Sequence, residues 1–157
     1  MTTHEATVRW ERGPGEPFTD NRYGRAHEWR FDGGAVVPAS ASPHNVRVPF
    51  VDPAAVDPEE AFVAALSSCH MLFFPAFAAA KGFAVDSYAD DARGHMAKTQ
   101  DGREWVARVM LRPRIAFAGD EPPTPADIEA LHHAAHEACF LANSVRSEIV
   151  VEDPEAP

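Results

Sequence analysis

The residues best equipped for chemistry are two cysteines seventy positions apart, each inside a stretch of helical character. The first lies in Ser67-Ser68-Cys69-His70-Met71-Leu72 and the second in Ala135-His136-Glu137-Ala138-Cys139-Phe140. A cysteine attacks as thiolate, and an unassisted thiol, with a pKa of about 8.5, is mostly protonated at neutral pH. Apolar surroundings raise that value further, so a reactive Cys69 needs a cation beside it: His70, His136 or an arginine from elsewhere in the chain. Once such a thiolate has attacked an electrophilic oxygen or sulfur, a second thiol can resolve the product as a disulfide, and Cys139 is placed to be that thiol if the two helices cross. Two other readings stand beside this one. Both cysteines can be small buried hydrophobes, as free cysteines often are. Alternatively His132, His136 and Cys139, at i, i+4 and i+7 of one helix, can join Cys69 around a zinc ion. The apolar stripe of that helix carries Cys139 with the two histidines only on its shoulder, and there is no paired C-x-x-C.

Composition narrows the class. The 157 residues suit one domain with a core of its own, and 45% of them are hydrophobic. A formal charge of −10 opposes binding to nucleic acid or to an anionic membrane surface. The opening Met1-Thr2-Thr3-His4-Glu5 lacks the basic and apolar regions of a signal peptide, which makes a cytoplasmic location the expectation. The apolar run from Ala61 to Ala80 is interrupted by Ser67, Ser68, His70 and Pro75, as in a buried core helix rather than a membrane span. There is no phosphate-cradling glycine loop, no G-x-S-x-G and no dinucleotide fingerprint. Glu59 and Glu60 offer a carboxylate pair, although adjacent carboxylates in a first helical turn commonly answer the helix dipole.

The elements that must position the cysteines follow from periodicity and punctuation. His4 to Trp10, Arg25 to Phe31 and Asn45 to Val51 are candidate strands, with His27, Trp29 and Phe31 on one face and a loop across Pro38 to Pro43. Asp57 caps a long helix with Pro58 in its first turn and Glu60 completing a capping box. Gly82 ends that helix after Lys81, and Pro75 should kink it. Because it is apolar nearly all round, it requires cover on most sides, for which a second subunit is one source. A long hairpin from Phe83 to Phe117 turns at Asp101-Gly102, with Trp105, Ala107, Val109, Leu111, Ile115 and Phe117 inward and Arg108, Arg112 and Arg114 on a solvated face. Thr124-Pro125 starts a second helix reaching Leu141, with Ile128, Leu131, Ala135, Ala138 and Cys139 on its buried face. Ser144 to Glu152 closes as a strand with Val145, Ile149 and Val151 facing in. The class is α+β.

Pro58-Glu59-Glu60-Ala61-Phe62 followed by Ser67-Ser68-Cys69-His70-Met71-Leu72, and Ala135-His136-Glu137-Ala138-Cys139 followed by Ala142-Asn143-Ser144, resemble the two cysteine motifs of the OsmC/Ohr family, the osmotically inducible and organic-hydroperoxide-resistance proteins. The likeness extends from about Tyr23 to Glu152, with His70 and Phe140 as departures from many members. It implies antiparallel sheets around two central helices in an intertwined homodimer. It also implies a thiol peroxidase that reduces organic hydroperoxides, with Cys69 as peroxidatic and Cys139 as resolving cysteine. By the same resemblance Arg25, with Arg22 as its competitor, holds the thiolate and Glu59 holds the arginine. No cofactor is implied; the partners are the hydroperoxide and a dithiol reductant, a lipoylated protein in the family. A helical rise of about 1.5 Å per residue puts Glu59 roughly 15 Å along the axis from Cys69, so Glu59 and the arginine are expected to reach the thiolate from the partner of a homodimer.

Overall fold

The computed structural model describes residues 1–152. They form an α+β structure with two compact units, one of residues 1–61 and one beginning at Phe62.

In the first unit, β1 (Ala6–Arg9), β2 (His27–Phe31) and β3 (Val36–Ala39) make an antiparallel sheet in the order β1-β2-β3. His27 and Trp29 share a face of β2, as alternation requires, and the indole Nε1 donates to His27 Nε2 at 3.0 Å. Two of the sequence expectations fail here. The third strand is Val36–Ala39, not Asn45 to Val51, and the supposed loop from Pro38 begins inside it. Proline is admitted because β3 is an edge strand, where one backbone N–H has no ladder partner to lose. Around Asn45 the backbone turns instead of extending: the amides of Asn45 and Val46 both donate to Ser42 O at 3.0 Å.

Helix α1 (Pro58–Ala80) starts where its cap chemistry dictates. Glu60 N donates to Asp57 Oδ1 at 2.8 Å, and Asp57 N donates to Glu60 Oε2 at 3.2 Å, a reciprocal box that satisfies two otherwise free amides. It ends at Gly82, whose φ of 85° lets Phe83 N return to Ala78 O at 3.0 Å. The helix continues through Pro75, which leaves Met71 O without its usual donor. By length and composition α1 could cross a membrane. Its buried side chains are Leu66, His70, Phe74 and Ala78, one stripe at four-residue spacing, while Leu72 is 67% exposed. Among the described residues the all-round enclosure expected of it is therefore not found.

The long hairpin is divided in two. β4 (Ala84–Asp90) pairs with β7 (Pro113–Ala118), whereas β5 (Arg93–Lys98) pairs with β6 (Glu104–Leu111) in a different sheet. The break falls where a side chain replaces the ladder: Asp90 accepts from Arg112 N at 2.6 Å through one oxygen and from Ser67 Oγ at 2.5 Å through the other. Pro113, with no N–H to give, follows at once. At Gly94 any Cβ would stand 2.6 Å from a methyl of Val63, so β5 lies too close to α1 for a side chain. The arginine face is wet as expected, with Arg108 bridging to Glu148 at 2.7 Å and Arg114 to Asp91 at 2.5 Å.

Helix α2 (Pro125–Ala138) is capped by Thr124 and Asp127, and it stops three residues before Leu141. Cys139 is its C-cap, in extended conformation, and a short 3-10 turn, Ala142–Ser144, leads to β8 (Glu148–Val151). β8 joins β6 in parallel, a pairing that alternation along a single strand does not announce. Two apolar clusters result. Phe74 and Ala78 of α1 pack with Leu131 and Ala135 of α2, and Leu66 packs with Val109 and Leu111 of β6.

Candidate active site

The structure brings the two cysteines together. Both are free; Cys139 is buried at 1% exposure, and Cys69 is partly exposed on α1. Burial first, and then the neighbouring Cys69 thiol, pushes the Cys139 thiol above its ordinary value. A further 3.4 Å contact runs from Ala142 N to the sulfur, and Asn143 Nδ2 donates to Glu137 O and Cys139 O, so the backbone around the thiol is held. This is an accessible thiol beside a buried, protonated one, an arrangement suited to closing a disulfide after the accessible sulfur has been oxidised.

The histidines do something other than what their spacing suggests. His70 was a candidate cation for the thiolate, yet its Nε2 meets His132 Nδ1 at 3.0 Å, and the rings lie edge to edge, 5.3 Å between centroids and 16° from parallel. Burial first, then the neighbouring His132 and His136, lowers the His70 pKa from 6.5 to about 4. His132, also desolvated and only partly offset by Asp90, is lowered to about 4 as well. At neutral pH both rings are uncharged, so His70 supplies no positive charge to Cys69. The zinc set is not assembled either: among the described residues no three His, Cys, Asp or Glu side chains gather as ligands, because His132 faces His70.

This pair gives stability a defined pH dependence. An unfolded chain takes up protons as pH falls through about 6.5, whereas the buried rings resist until about 4. Native stability contributed by the neutral pair is therefore full above about 6.5 and declines toward 4. For one ring that gap, at about 1.4 kcal/mol per pH unit, amounts to roughly 3 kcal/mol. Urea midpoints should hold from pH 7.5 to about 6.5 and then fall toward pH 5, and a His70→Leu, His132→Leu double variant should flatten that fall; equal slopes in both proteins would contradict the assignment.

The first unit holds Arg25 and Glu59. Arg25 donates from Nη2 to Asn21 Oδ1 at 2.7 Å and from Nη1 to the carbonyls of Asn21 and Tyr23, and its guanidinium lies 3.7 Å above the Tyr23 ring. All of these partners are neutral. Arg22 is instead paired with Asp20 at 2.7 Å. Of the two, Arg25 keeps its charge available to an outside anion. The two carboxylates of the first helical turn also separate: Glu60 serves the cap, while Glu59 accepts from Asn45 Nδ2 at 3.4 Å. Among the described residues Arg25 and Glu59 form no ion pair with each other.

One feature escaped sequence reasoning altogether. An open groove of about 780 Å³ is lined by Ile115, Phe117, Ile128, Ile149 and Val151, with Arg114, Glu129, His132 and His136 along it. Its residues come from β7, α2 and β8, and only the parallel return of β8 brings them together. Neither cysteine is among them.

Comparison with known proteins places this arrangement. The family model described as OsmC-like protein matches residues 51–152, which includes both cysteines. A solved OsmC-like protein of unknown function from Vibrio cholerae is 54% identical, with a TM-score of 0.94 over 98% of this chain and 99% of that one. An organic hydroperoxide resistance protein from Elizabethkingia anophelis shares the fold at 18% identity, with a TM-score of 0.68 over 96% and 93% of the two chains. The organic hydroperoxide resistance protein OhrB of Bacillus subtilis does so at 19%, with a TM-score of 0.63 over 96% of each chain. No curated protein matches the sequence.

Proposed function

The chain belongs to the OsmC-like family, and from that premise we propose that it is a cysteine-based peroxidase that reduces organic hydroperoxides. The observation that carries the reading is the neighbouring placement of a partly exposed Cys69 and a buried Cys139 whose thiol is pushed up by burial and by Cys69. The names of the Elizabethkingia and Bacillus proteins support the substrate class. In the proposed cycle the Cys69 thiolate attacks the distal oxygen of the hydroperoxide. The O–O bond breaks, the leaving alkoxide takes up a proton as alcohol, and Cys69 becomes a sulfenic acid. Cys139 then displaces hydroxide from that sulfur, its own proton leaves as part of a water molecule, and an external dithiol reduces the disulfide. A lipoylated protein is the reductant the resemblance suggests. The work takes place in the cytoplasm as part of an oxidative stress response, away from membrane and nucleic acid.

The active unit in this proposal is a homodimer. Leu72, at 67% exposure, and Phe140, at 73%, stand on the cysteine-bearing segments and are left uncovered among the described residues. Arg25, whose charge no carboxylate neutralises among the described residues, supplies the cation for the thiolate and Glu59 supports it, both from the partner subunit.

The test is peroxide consumption with cumene hydroperoxide and with hydrogen peroxide, dihydrolipoamide being the reductant. Rapid turnover favouring the organic peroxide is expected; oxidation without turnover would point to a thiol sensor on the same scaffold. Arg25→Ala should slow formation of the sulfenic acid by about 10²-fold by removing a charge-assisted partner of the thiolate. Arg22→Ala, which only frees Asp20, should change it less than about threefold. The reverse ranking in stopped-flow traces would show that the wrong arginine has been chosen.

A further inference from the structure

Two polar contacts tie α1 to α2, and they are unequally spaced on the two helices. On α1 the contacting residues are adjacent, Cys69 and His70. The other two are His132, on α2, and Cys139, the extended residue that caps it, seven positions further along the chain. Two such points determine both where α2 lies on α1 and at what angle. The apolar residues between the helices, Phe74, Ala78, Leu131 and Ala135, supply burial without direction, whereas a hydrogen bond is satisfied only over a narrow range of distance and angle. Cys139 is particularly exposed to a shift of α2 along α1, because it is the extended residue that follows the last helical turn.

We propose that the hydrogen-bonded His70–His132 pair is a positioning device that sets α2 on α1 so that the Cys139 sulfur meets the Cys69 sulfur. The inference rests on the peroxidase reading for its purpose and on the helix–helix geometry for its substance. At this register the two rings are hydrogen-bonded, one ring nitrogen donating and the other accepting at 3.0 Å. Elsewhere along the interface a buried imidazole would lose its partner, which disfavours every other register. The ring of Phe74, 4.4 Å from that of His132 between centroids, packs against the pair. The groups facing the pair are His136 on α2 and Asp90 on β4, and His132 also lines the groove with Glu129, His133 and Arg114. None of these groups is given a step in the reaction. His70 and His132 are positioning residues; they make and break no bond in the cycle.

The experiment reads the closeness of the two thiols without peroxide. Wild type, His132→Leu and His132→Asn are equilibrated in mixtures of reduced and oxidised glutathione, and the Cys69–Cys139 disulfide fraction gives the effective concentration of one thiol toward the other. His132→Leu should lower it by about tenfold or more, as expected when a held geometry becomes a shifting one. His132→Asn, whose side-chain amide can stand in for Nδ1, should recover most of that loss. Disulfide closure after a single dose of cumene hydroperoxide should slow in the same proportion. Should His132→Leu fail to fold, His70→Gln and His70→Leu make the same comparison from the other ring, Gln standing in for Nε2. An effective concentration unchanged in the leucine variants, or lost equally in the leucine and amide variants, overturns the proposal. A wild-type protein that forms the disulfide in glutathione but never consumes peroxide would overturn the peroxidase reading and leave the positioning role intact.

Discussion

Cys69→Ser is expected to abolish hydroperoxide reduction, by at least about 10³-fold, while Cys139→Ser is expected to complete one turnover and stop. The asymmetry follows from the places of the two sulfurs. Cys69 is the partly exposed thiol on α1, and no residue other than Cys139 can form a sulfenic acid in its place. A serine hydroxyl in its place neither ionises near neutral pH nor forms a sulfenic acid. Cys139 is buried and held in its protonated form, so its loss leaves the first attack alone and removes only the step that closes the disulfide. Without that step the Cys69 sulfenic acid lingers and takes up a second oxygen on further exposure to peroxide. Single-turnover kinetics with mass spectrometry of the intact chain would read this directly: one added oxygen at low peroxide and two at high. Equal loss of the first turnover in the two variants would show that the roles are misassigned.

Phe74→Ala should be the most damaging of the apolar truncations, at about 3–5 kcal/mol in urea unfolding. Phe74 is fully buried and central to the α1–α2 cluster with Ala78, Leu131 and Ala135. Its ring also meets Tyr88 at 5.9 Å, Phe117 at 6.4 Å and His132 at 4.4 Å between centroids. Those neighbours belong to helix and strand elements that cannot collapse together into the space an alanine would leave. Phe74→Leu, which keeps most of the volume, should cost about 1–1.5 kcal/mol. Because Phe74 also supports His132, the alanine variant should lower the effective concentration of the two thiols even where the protein remains folded. A loss below about 1 kcal/mol for the alanine variant would mean that the cluster is less tightly packed than its geometry indicates.

The sequence by itself determined the features whose causes are local. Helix starts were legible because Asp57 with Glu60 and Thr124 with Asp127 satisfy free amides within one turn. The end of α1 was legible because Gly82 takes a backbone conformation that other residues resist. The alternation that turns Val109 and Leu111 inward and Arg108 outward is likewise a property of a strand taken alone. The two cysteine motifs, each on its own helix, identified the family that the matched region then showed.

What the tertiary structure decided depends on groups far apart in the chain. The hairpin splits because Asp90 captures the amide of Arg112 and the hydroxyl of Ser67, contacts across more than twenty residues. β8 returns in parallel to β6, and the groove exists only because of that return. His70 and His132, sixty-two positions apart, offered a cation and a zinc ligand by residue type and spacing; their mutual burial makes them a neutral pair instead. An imidazole's protonation state and partner are set by the solvent and charge it meets after folding, and none of these is a property of its position in the chain. The same holds for the thiols: two helices can each be foreseen with a cysteine in place, but the contact between the sulfurs is made by how the helices pack.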